Sequence, residues 1–575
     1  MDTSKTPKFD NAIDKILANL KPHKRICEQC EVEFEFLDTD IEFFNKFKVP
    51  PPRMCSDCRR QRRLAFVNYT TLFKRICNTP THDEKIISSI PEGTEFPVYD
   101  FDSYWHGDRD WKEYGKDFDF NKSFIKQFKE LFIKSPQPAL TRNPESIDSD
   151  YTSYGVQLKN CYYVFGGMNA ENIMYTVWPM MVKDSADFLI AVNTDLSYEG
   201  VYPENCYNCN FVYFSRDCVD CNFTFDCRNC NDCFACVNLR SKKYCIWNKQ
   251  YSKEDYFKEI SKIDLGDQET LKKYKLDFMS FVKKLPVRAT RNEHSENVSG
   301  NYLINTNNCY STMWAMNSEN LSFTDFVLRL KDSYDCTVSA VAEKLYSTSG
   351  VGNNCFDVRF STFGRDVREC EYIMNCKNCT NCFACIGLVN AKFCVFNKQY
   401  EESEYWNLVD EIKTKMLEDN EYGEFFPMSV SPFPYNASLA NIIYPSSKEK
   451  ILKLNGWWHD EESDFPKGIE FTKVKDIEQN IKDISDVILN KGIISDNNGK
   501  PFRITERELD FYKRKQISIP NITPYERIIN RFSFVNNFNL FKDQCFKCKT
   551  EILSSYDTKN GFKPYCEKCY QQEVY

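Results

Sequence analysis

Histidine and glycine are scarce in this chain of 575 residues, which holds five of the first and nineteen of the second. His23, His82, His106, His294 and His459 form no His-x3-His pair and no legible Ser-His-Asp set, so histidine-centred metal or triad hydrolysis has no visible footing. No phosphate-cradling glycine loop is found. Long apolar runs are missing too: no stretch reaches the roughly 18 residues a membrane span needs. The opening MDTSKTPKFDNAIDK has no apolar signal core, so a soluble, cytoplasmic protein without membrane association is expected. Nor does either charge dominate. Lys plus Arg number 75 and Asp plus Glu 83, a net −8 that argues against indiscriminate coating of nucleic acid but leaves room for a local basic patch.

Cysteine, by contrast, is abundant, with 28 copies. In a reducing compartment these point to metal ligands or buried thiols rather than disulfides. Their spacing is regular. Cys209, Cys221, Cys233 and Cys245 follow one another at intervals of twelve, and Cys161, Ile173, Ser185 and Ser197 fill the same slot upstream. Asn160, Asn172, Asp184, Asn208, Asp220 and Asp232 stand just before it. The set recurs about 148 residues later as Cys309, Leu321, Ser333 and Leu345, then, after a one-residue slip, as Val358, Cys370, Cys382 and Cys394. A constant period over eight units, present twice, marks a stacked repeat.

Within a unit, residues such as Cys209, Phe211 and Tyr213 alternate with their neighbours in strand fashion, which predicts a β-solenoid with twelve-residue rungs. The period alone leaves one or two rungs per coil open. Asn or Asp before the slot suits a turn, because both tolerate the left-handed region. After each block the text becomes helical, through Ser252 to Asp255 in one copy and around Glu404 to Trp406 in the other, as expected of amphipathic helices closing the exposed ends.

Two Cys-x2-Cys knuckles lie at each end of the chain: Cys27 and Cys30 with Cys55 and Cys58, and Cys545 and Cys548 with Cys566 and Cys569. Each knuckle supplies two thiolates from one tight turn, and two knuckles complete a closed S4 zinc site of structural type. Two structural zinc ions are therefore expected. Around the first pair, Phe34, Phe36, Glu42, Phe43, Phe44, the run Pro52-Arg53-Met54-Cys55 and the run Cys58-Arg59-Arg60-Gln61-Arg62-Arg63 resemble the probable zinc-ribbon domain family over roughly residues 22–66. The resemblance implies zinc binding and no particular reaction. The wider arrangement of ribbon, Asn-Cys-aromatic rungs and a Cys-aromatic-Asn-Lys-Gln-Tyr ending is similar to bacterial multi-ribbon, cysteine-rich repeat proteins, and that likeness implies no activity either.

A third, broken ribbon is legible after the first. Phe73-Lys74 before Cys77 matches Phe541-Lys542 before Cys545, and Ile86-Ile87-Ser88-Ser89 matches Ile552-Leu553-Ser554-Ser555. Pro80, Asp100 and Ser103 then stand where Cys548, Cys566 and Cys569 would, so this copy is expected to have kept its hairpins and lost its metal.

Two denser cysteine patches lie in the repeats: Cys227, Cys230, Cys233, Cys236, and Cys376, Cys379, Cys382, Cys385. They admit a ladder of buried thiols, a zinc or iron–sulfur site, or disulfides. Stacked strands about 4.8 Å apart are too stretched for the sulfur separations of about 3.8 Å that zinc requires, which favours the ladder over a cluster. Cys227 and Cys236 remain unexplained by the twelve-residue slot.

Between Lys46 and Arg75 lie nine basic residues against Asp57 alone. Arg59, Arg60, Arg62, Arg63, Lys74 and Arg75, interleaved with Phe66, Tyr69 and Phe73, are the candidate nucleic-acid contacts, against the plain alternative of a solvated charged turn pairing with acidic neighbours. Trp105-His106-Gly107-Asp108-Arg109-Asp110-Trp111 reads as a docking segment rather than a catalytic one, and Asp184, Asp187, Glu199 and Asp217 are the only carboxylates that suggest a polysaccharide-acting face.

The reading is a mixed α+β, multi-domain protein: an N-terminal ribbon over 1–70, a degenerate ribbon and helix over 71–136, repeat blocks over 137–285 and 286–415, a linker and cysteine-free hairpin over 416–520, and a C-terminal ribbon over 521–575. The expected role is a non-catalytic scaffold binding RNA, DNA, a ribonucleoprotein or a protein partner. An iron–sulfur protein, a self-assembling structural protein and a carbohydrate-acting β-helix remain as alternatives.

Overall fold

The structure, a computed structural model, describes residues 4–107, 109–141, 146–192, 195–201, 204–460, 465–535 and 539–575. Helices and sheets are mixed, and the chain divides into two compact units. One comprises Met1–Leu140 with Arg291–His459, the other Thr141–Thr290 with Asp460–Tyr575. Each unit holds one of the two repeat blocks.

Residues twelve apart pair in parallel along the block of the second unit and along most of the other, where the first pairs are eleven apart and one later rung is thirteen apart. In the second unit Asn210 lies beside Asn222, Asn222 beside Phe234 and Cys233 beside Cys245. The pairing continues around the rung. Glu204, Arg216, Arg228 and Arg240 form one parallel row, Tyr207, Val219 and Asn231 another, and Tyr213, Phe225 and Val237 a third. Each of these rows therefore repeats with the same parallel step of twelve residues.

What bends the chain is a left-handed residue at every third position: Asn205, Asn208, Phe211, Phe214, Asp217, Asp220, Phe223 and Asp226 all have φ between 49° and 57°. Three-residue sides with such corners make a four-sided rung. The Asn and Asp residues before the slot occupy corners, where their side chains also bridge rungs, as Asn208 does to Asp220 at 2.6 Å. Aromatic residues at corners, such as Phe211 and Phe223, carry strain of roughly 1 kcal/mol or more each, and their stacked rings, 4.5 Å apart, help to offset it.

The period inside the rung is consequently three, not the two of an alternating strand. Cys206, Cys209, Val212, Ser215, Cys218, Cys221, Thr224, Cys227, Cys230, Cys233 and Cys236 all point inward and are buried. The expected alternation fails because the corner residue resets the direction of the backbone before a pleat can develop. This geometry accounts for the dense cysteine patches. Cys227, Cys230, Cys233 and Cys236 are one inward residue from each of four successive sides, and Cys376, Cys379, Cys382 and Cys385 repeat the pattern. In these rungs the interior is filled mainly by Cys, a small hydrophobe with a weak donor, while Ile173, Leu321 and Leu345 fill inward positions of other rungs. The thiols use that donor on carbonyls nine residues ahead, Cys227 to Cys236 at 3.4 Å and Cys376 to Cys385 at 3.6 Å. Replacing Cys230 by leucine is expected to destabilise its unit by about 1–3 kcal/mol through overpacking, with alanine costing less; urea unfolding of the two variants checks the order.

The one-residue slip in the other block has a definite place. Asn353 and Asn354 are both left-handed, and across them the pairing steps by thirteen, so that Ala342 meets Cys355 and Leu345 meets Val358, before returning to twelve where Phe356 meets Arg368. At the end of each block an asparagine mimics a strand. Asn248 accepts from the Val237 N–H and donates to its carbonyl (2.8 and 3.0 Å), and Asn397 does the same to Ile386 (2.8 Å each). Helices follow, Lys253–Ile260 with Ser252 accepting from the Asp255 N–H, and Glu402–Glu418.

Candidate metal centres

The N-terminal module is a hairpin of His23–Ile26 with Glu33–Phe36, whose turn carries Cys27 and Cys30. Cys55 caps the helix Ser56–Leu64, and Cys58 sits in its first turn. All four sulfurs lie within 4.8 Å of one another. Cys30 and Cys55 are 3.7 Å apart, the edge length of an S4 tetrahedron around zinc, and the Cys55 N–H donates to Cys27 Sγ at 3.3 Å. A hydrogen bond from the neighbouring Cys58 thiol holds the Cys55 thiol below its ordinary pKa, the direction that favours a metal-binding thiolate.

The C-terminal module repeats this. Phe541–Gln544 pairs with Glu551–Ser554, and Cys566 caps Glu567–Val574. Cys548 and Cys566 are 3.7 Å apart, and the Cys566 N–H donates to Cys545 Sγ, again at 3.3 Å. Cys545, Cys548, Cys566 and Cys569 converge within the same 4.8 Å. Both quartets are close enough to bind a metal ion, and four thiolates leave no coordination position open.

The middle module has the same frame. Phe73–Ile76 pairs with Lys85–Ser88 in the register of the C-terminal hairpin. Val98–Tyr99 runs parallel to Gln137–Pro138 as Lys563–Tyr565 runs parallel to Pro286–Arg288. The Ser89 N–H donates to the Ala139 carbonyl, and the Ser555 N–H to that of Ala289, both at 2.8 Å. Each of these two ribbons is thus clamped to the strand that leads into its repeat block.

The arginine cluster is used internally. Arg59 donates to Asp335 and to the Met54 carbonyl, Arg60 pairs with Asp325 at 2.9 Å, and Arg63, 0 % exposed, reaches Asp335 at 3.1 Å. Arg62 is mostly covered, beside Glu424 and the Phe425 carbonyl. Arg75 is buried on the Pro91 carbonyl and Asn78, while Lys74 is exposed. Five of the six basic residues expected to meet phosphate are therefore turned inward: Arg59, Arg60 and Arg63 because their helix packs against the strand Asp325–Ser349, whose carboxylates take these guanidinium groups, Arg62 through Glu424, and Arg75 through the Pro91 carbonyl and Asn78. Charge removal at Arg59, Arg60 and Arg63 would injure the fold before it reported on any ligand.

The carboxylates considered for glycan chemistry are also engaged. Asp187 is fully buried between Arg527 and Arg531, Glu199 holds Lys275 at 3.0 Å, and Asp184 and Asp217 accept from Asn172 and Asn205. They do not gather into a pair. His106 sits exposed beside Asp102, Trp111 is buried, and Asp108 lies outside the described residues.

Among the described residues no helix is long and apolar enough to cross a membrane. Among the described residues, three groups bring three or more ligand atoms together: the two terminal quartets, and Cys77 with His82 and Asp100. The patches Cys227–Cys236 and Cys376–Cys385 are not among them. No protein-family model matches the chain and no curated protein is similar to it, so the ribbon character of the terminal modules rests on their own geometry.

Proposed function

We propose that this protein is a non-catalytic scaffold in which each repeat block is a β-solenoid, closed S4 zinc ribbons stabilise the two ends, and the C-terminal ribbon binds single-stranded RNA. The twelve-residue parallel pairing on every side of the rung supports the solenoid. Closed thiolate quartets, which offer no position for a substrate, support a structural role for zinc.

The RNA-binding reading moves away from the buried arginines to a different surface. Phe546, 47 % exposed at the tip of the C-terminal knuckle, stacks on Tyr565 with ring centroids 6.2 Å apart and planes 19° apart. Lys549 and Lys563 hold their ammonium groups 5.1 and 5.3 Å from the Phe546 ring. A half-exposed ring with two lysines held over it is suited to take a base in place of a displaced ammonium group, leaving the cations to meet the backbone. This platform is the single observation that carries the reading.

Phe546→Ala is expected to weaken binding of a single-stranded RNA, followed by fluorescence anisotropy at fixed salt, by about 5- to 150-fold, the value of one base–aromatic stack. Lys549→Gln should weaken it less and lower the salt dependence. Unchanged affinity in both variants, or no binding by the unaltered protein, contradicts the RNA reading and leaves the exposed apolar residues of the N-terminal ribbon, Ile26 and Val32, as the better candidates for a protein partner.

A further inference from the structure

The alignment of the middle ribbon with the C-terminal one puts Pro80 where Cys548 stands, and position by position the metal site is lost. The folded chain brings in a residue from outside that alignment. His82, two positions beyond Pro80, turns its Nε2 towards Asp100 Oδ2 at 3.1 Å, and Cys77 Sγ lies 3.5 Å from the same oxygen. Ser103, in the place of Cys569, has its Oγ 3.5 Å from His82 Nε2. We propose that Cys77, His82 and Asp100 form a third zinc site, with its fourth position open to solvent beside Ser103.

The distances suit a metal. With bonds of about 2.3 Å to sulfur and about 2.0 Å to nitrogen and oxygen, a tetrahedral zinc site has an S···O edge of about 3.5 Å and an N···O edge of about 3.3 Å. The observed separations are 3.5 and 3.1 Å. The site also occupies the same place in the frame as the two quartets. Asp100 caps the helix Phe101–Trp105 as Cys55 and Cys566 cap theirs, and its N–H donates to Cys77 Sγ at 3.3 Å, matching the distance in both terminal ribbons. Its two oxygens divide the work. Oδ1 accepts the Asp102 and Ser103 N–H groups at 3.0 Å each, so Oδ2 is left to face Cys77 and His82.

A thiolate, an imidazole and a carboxylate make a ligand set that zinc accepts readily, and three protein ligands with one open position differ in kind from a closed S4 site. The side chains of His82 and Asp100 are 28 % and 22 % exposed, so water can reach the vacant position. Binding releases the Cys77 proton to solvent and leaves His82 neutral. The inference takes the terminal ribbons as its geometric reference, so its test must be able to fail separately from theirs.

Elemental analysis of the full chain, prepared without oxygen, should return about three zinc ions, and about two in the double variant His82→Gln, Asp100→Asn. Asn retains the helix-capping oxygen, which guards against simple unfolding. A variant with Cys30→Ser and Cys548→Ser weakens only the terminal sites and should keep the third metal. With cobalt in place of zinc, imidazole should shift the part of the visible spectrum that the double variant lacks, and no other part. About two zinc ions in the unaltered chain, unchanged in the double variant, overturn the site while the ribbons stand. A cobalt spectrum indifferent to imidazole overturns the open position. Zinc lost altogether in the Cys30→Ser, Cys548→Ser variant overturns the independence of the third site.

Discussion

Asp187→Ala is expected to destabilise the unit formed by Thr141–Thr290 and Asp460–Tyr575 by about 3–5 kcal/mol, one of the largest losses available to a single substitution here. Asp187 is 0 % exposed and accepts from Arg527 at 2.6 Å and Arg531 at 2.8 Å, so its removal strands two buried cations. Arg527 keeps one carboxylate neighbour, Glu508, at 3.2 Å, but burial raises the pKa of that group and weakens it as a substitute. Arg531 keeps the Tyr175 carbonyl at 2.9 Å. The asymmetry matters more than the pair itself: replacing all the charges with apolar groups of similar size can be neutral, whereas removing one partner leaves an uncompensated charge in a low-dielectric interior. A lower urea midpoint with an unchanged slope is the expected signature. A loss below about 1 kcal/mol would mean that water or a rearranged side chain reaches the two arginines.

Breaking one of the terminal cysteine quartets is expected, on the zinc reading proposed above, to cost still more, though locally. Structural zinc in small ribbon modules is worth about 10–16 kcal/mol of folding free energy, because the site does not exist in the unfolded chain. Cys566→Ser with Cys569→Ser should therefore unfold the C-terminal ribbon. The strand Lys563–Tyr565 would leave Pro286–Arg288, and Tyr570, whose hydroxyl reaches Asn238 at 2.8 Å, would become exposed. Limited proteolysis should then cut near residues 541–575 while the repeat rungs of the same unit persist. Intact protease resistance in the double variant would show that the ribbon folds without metal.

Much of this architecture was legible in the residues. Cys209, Cys221, Cys233 and Cys245 set the period, Asn160 and its equivalents identified left-handed corners, and the paired knuckles located both quartets. The side-chain direction within a rung was misread. Cys-x2-Cys-x2-Cys-x2-Cys announces a period of three, but Cys209, Phe211 and Tyr213 imitate strand alternation, because Tyr213 is covered by Phe278 and Phe534 and Phe211 stacks on Phe223 and lies under Lys275.

The partners of the arginines were not legible for another reason. The carboxylates that bury Arg59 and Arg60 lie 276 and 265 residues away, and no local pattern joins Asp335 and Asp325 to them. The same limit hid His82, which reaches the middle site only through the fold of its hairpin loop. Charge clusters and metal ligands drawn from one short turn are readable in order; those completed by distant chain are not.

The account turns on which cysteines hold metal. Zinc and iron counted per chain on anaerobically purified protein, with and without Cys30→Ser and Cys548→Ser, measures that directly. The account predicts zinc without iron, with about two zinc ions weakened or lost in the variant and the interior thiols free to titrate once the chain is unfolded. Iron with acid-labile sulfide, or metal that survives in full when the terminal ligands are replaced, would place the metal among Cys227–Cys236 and Cys376–Cys385 and contradict it.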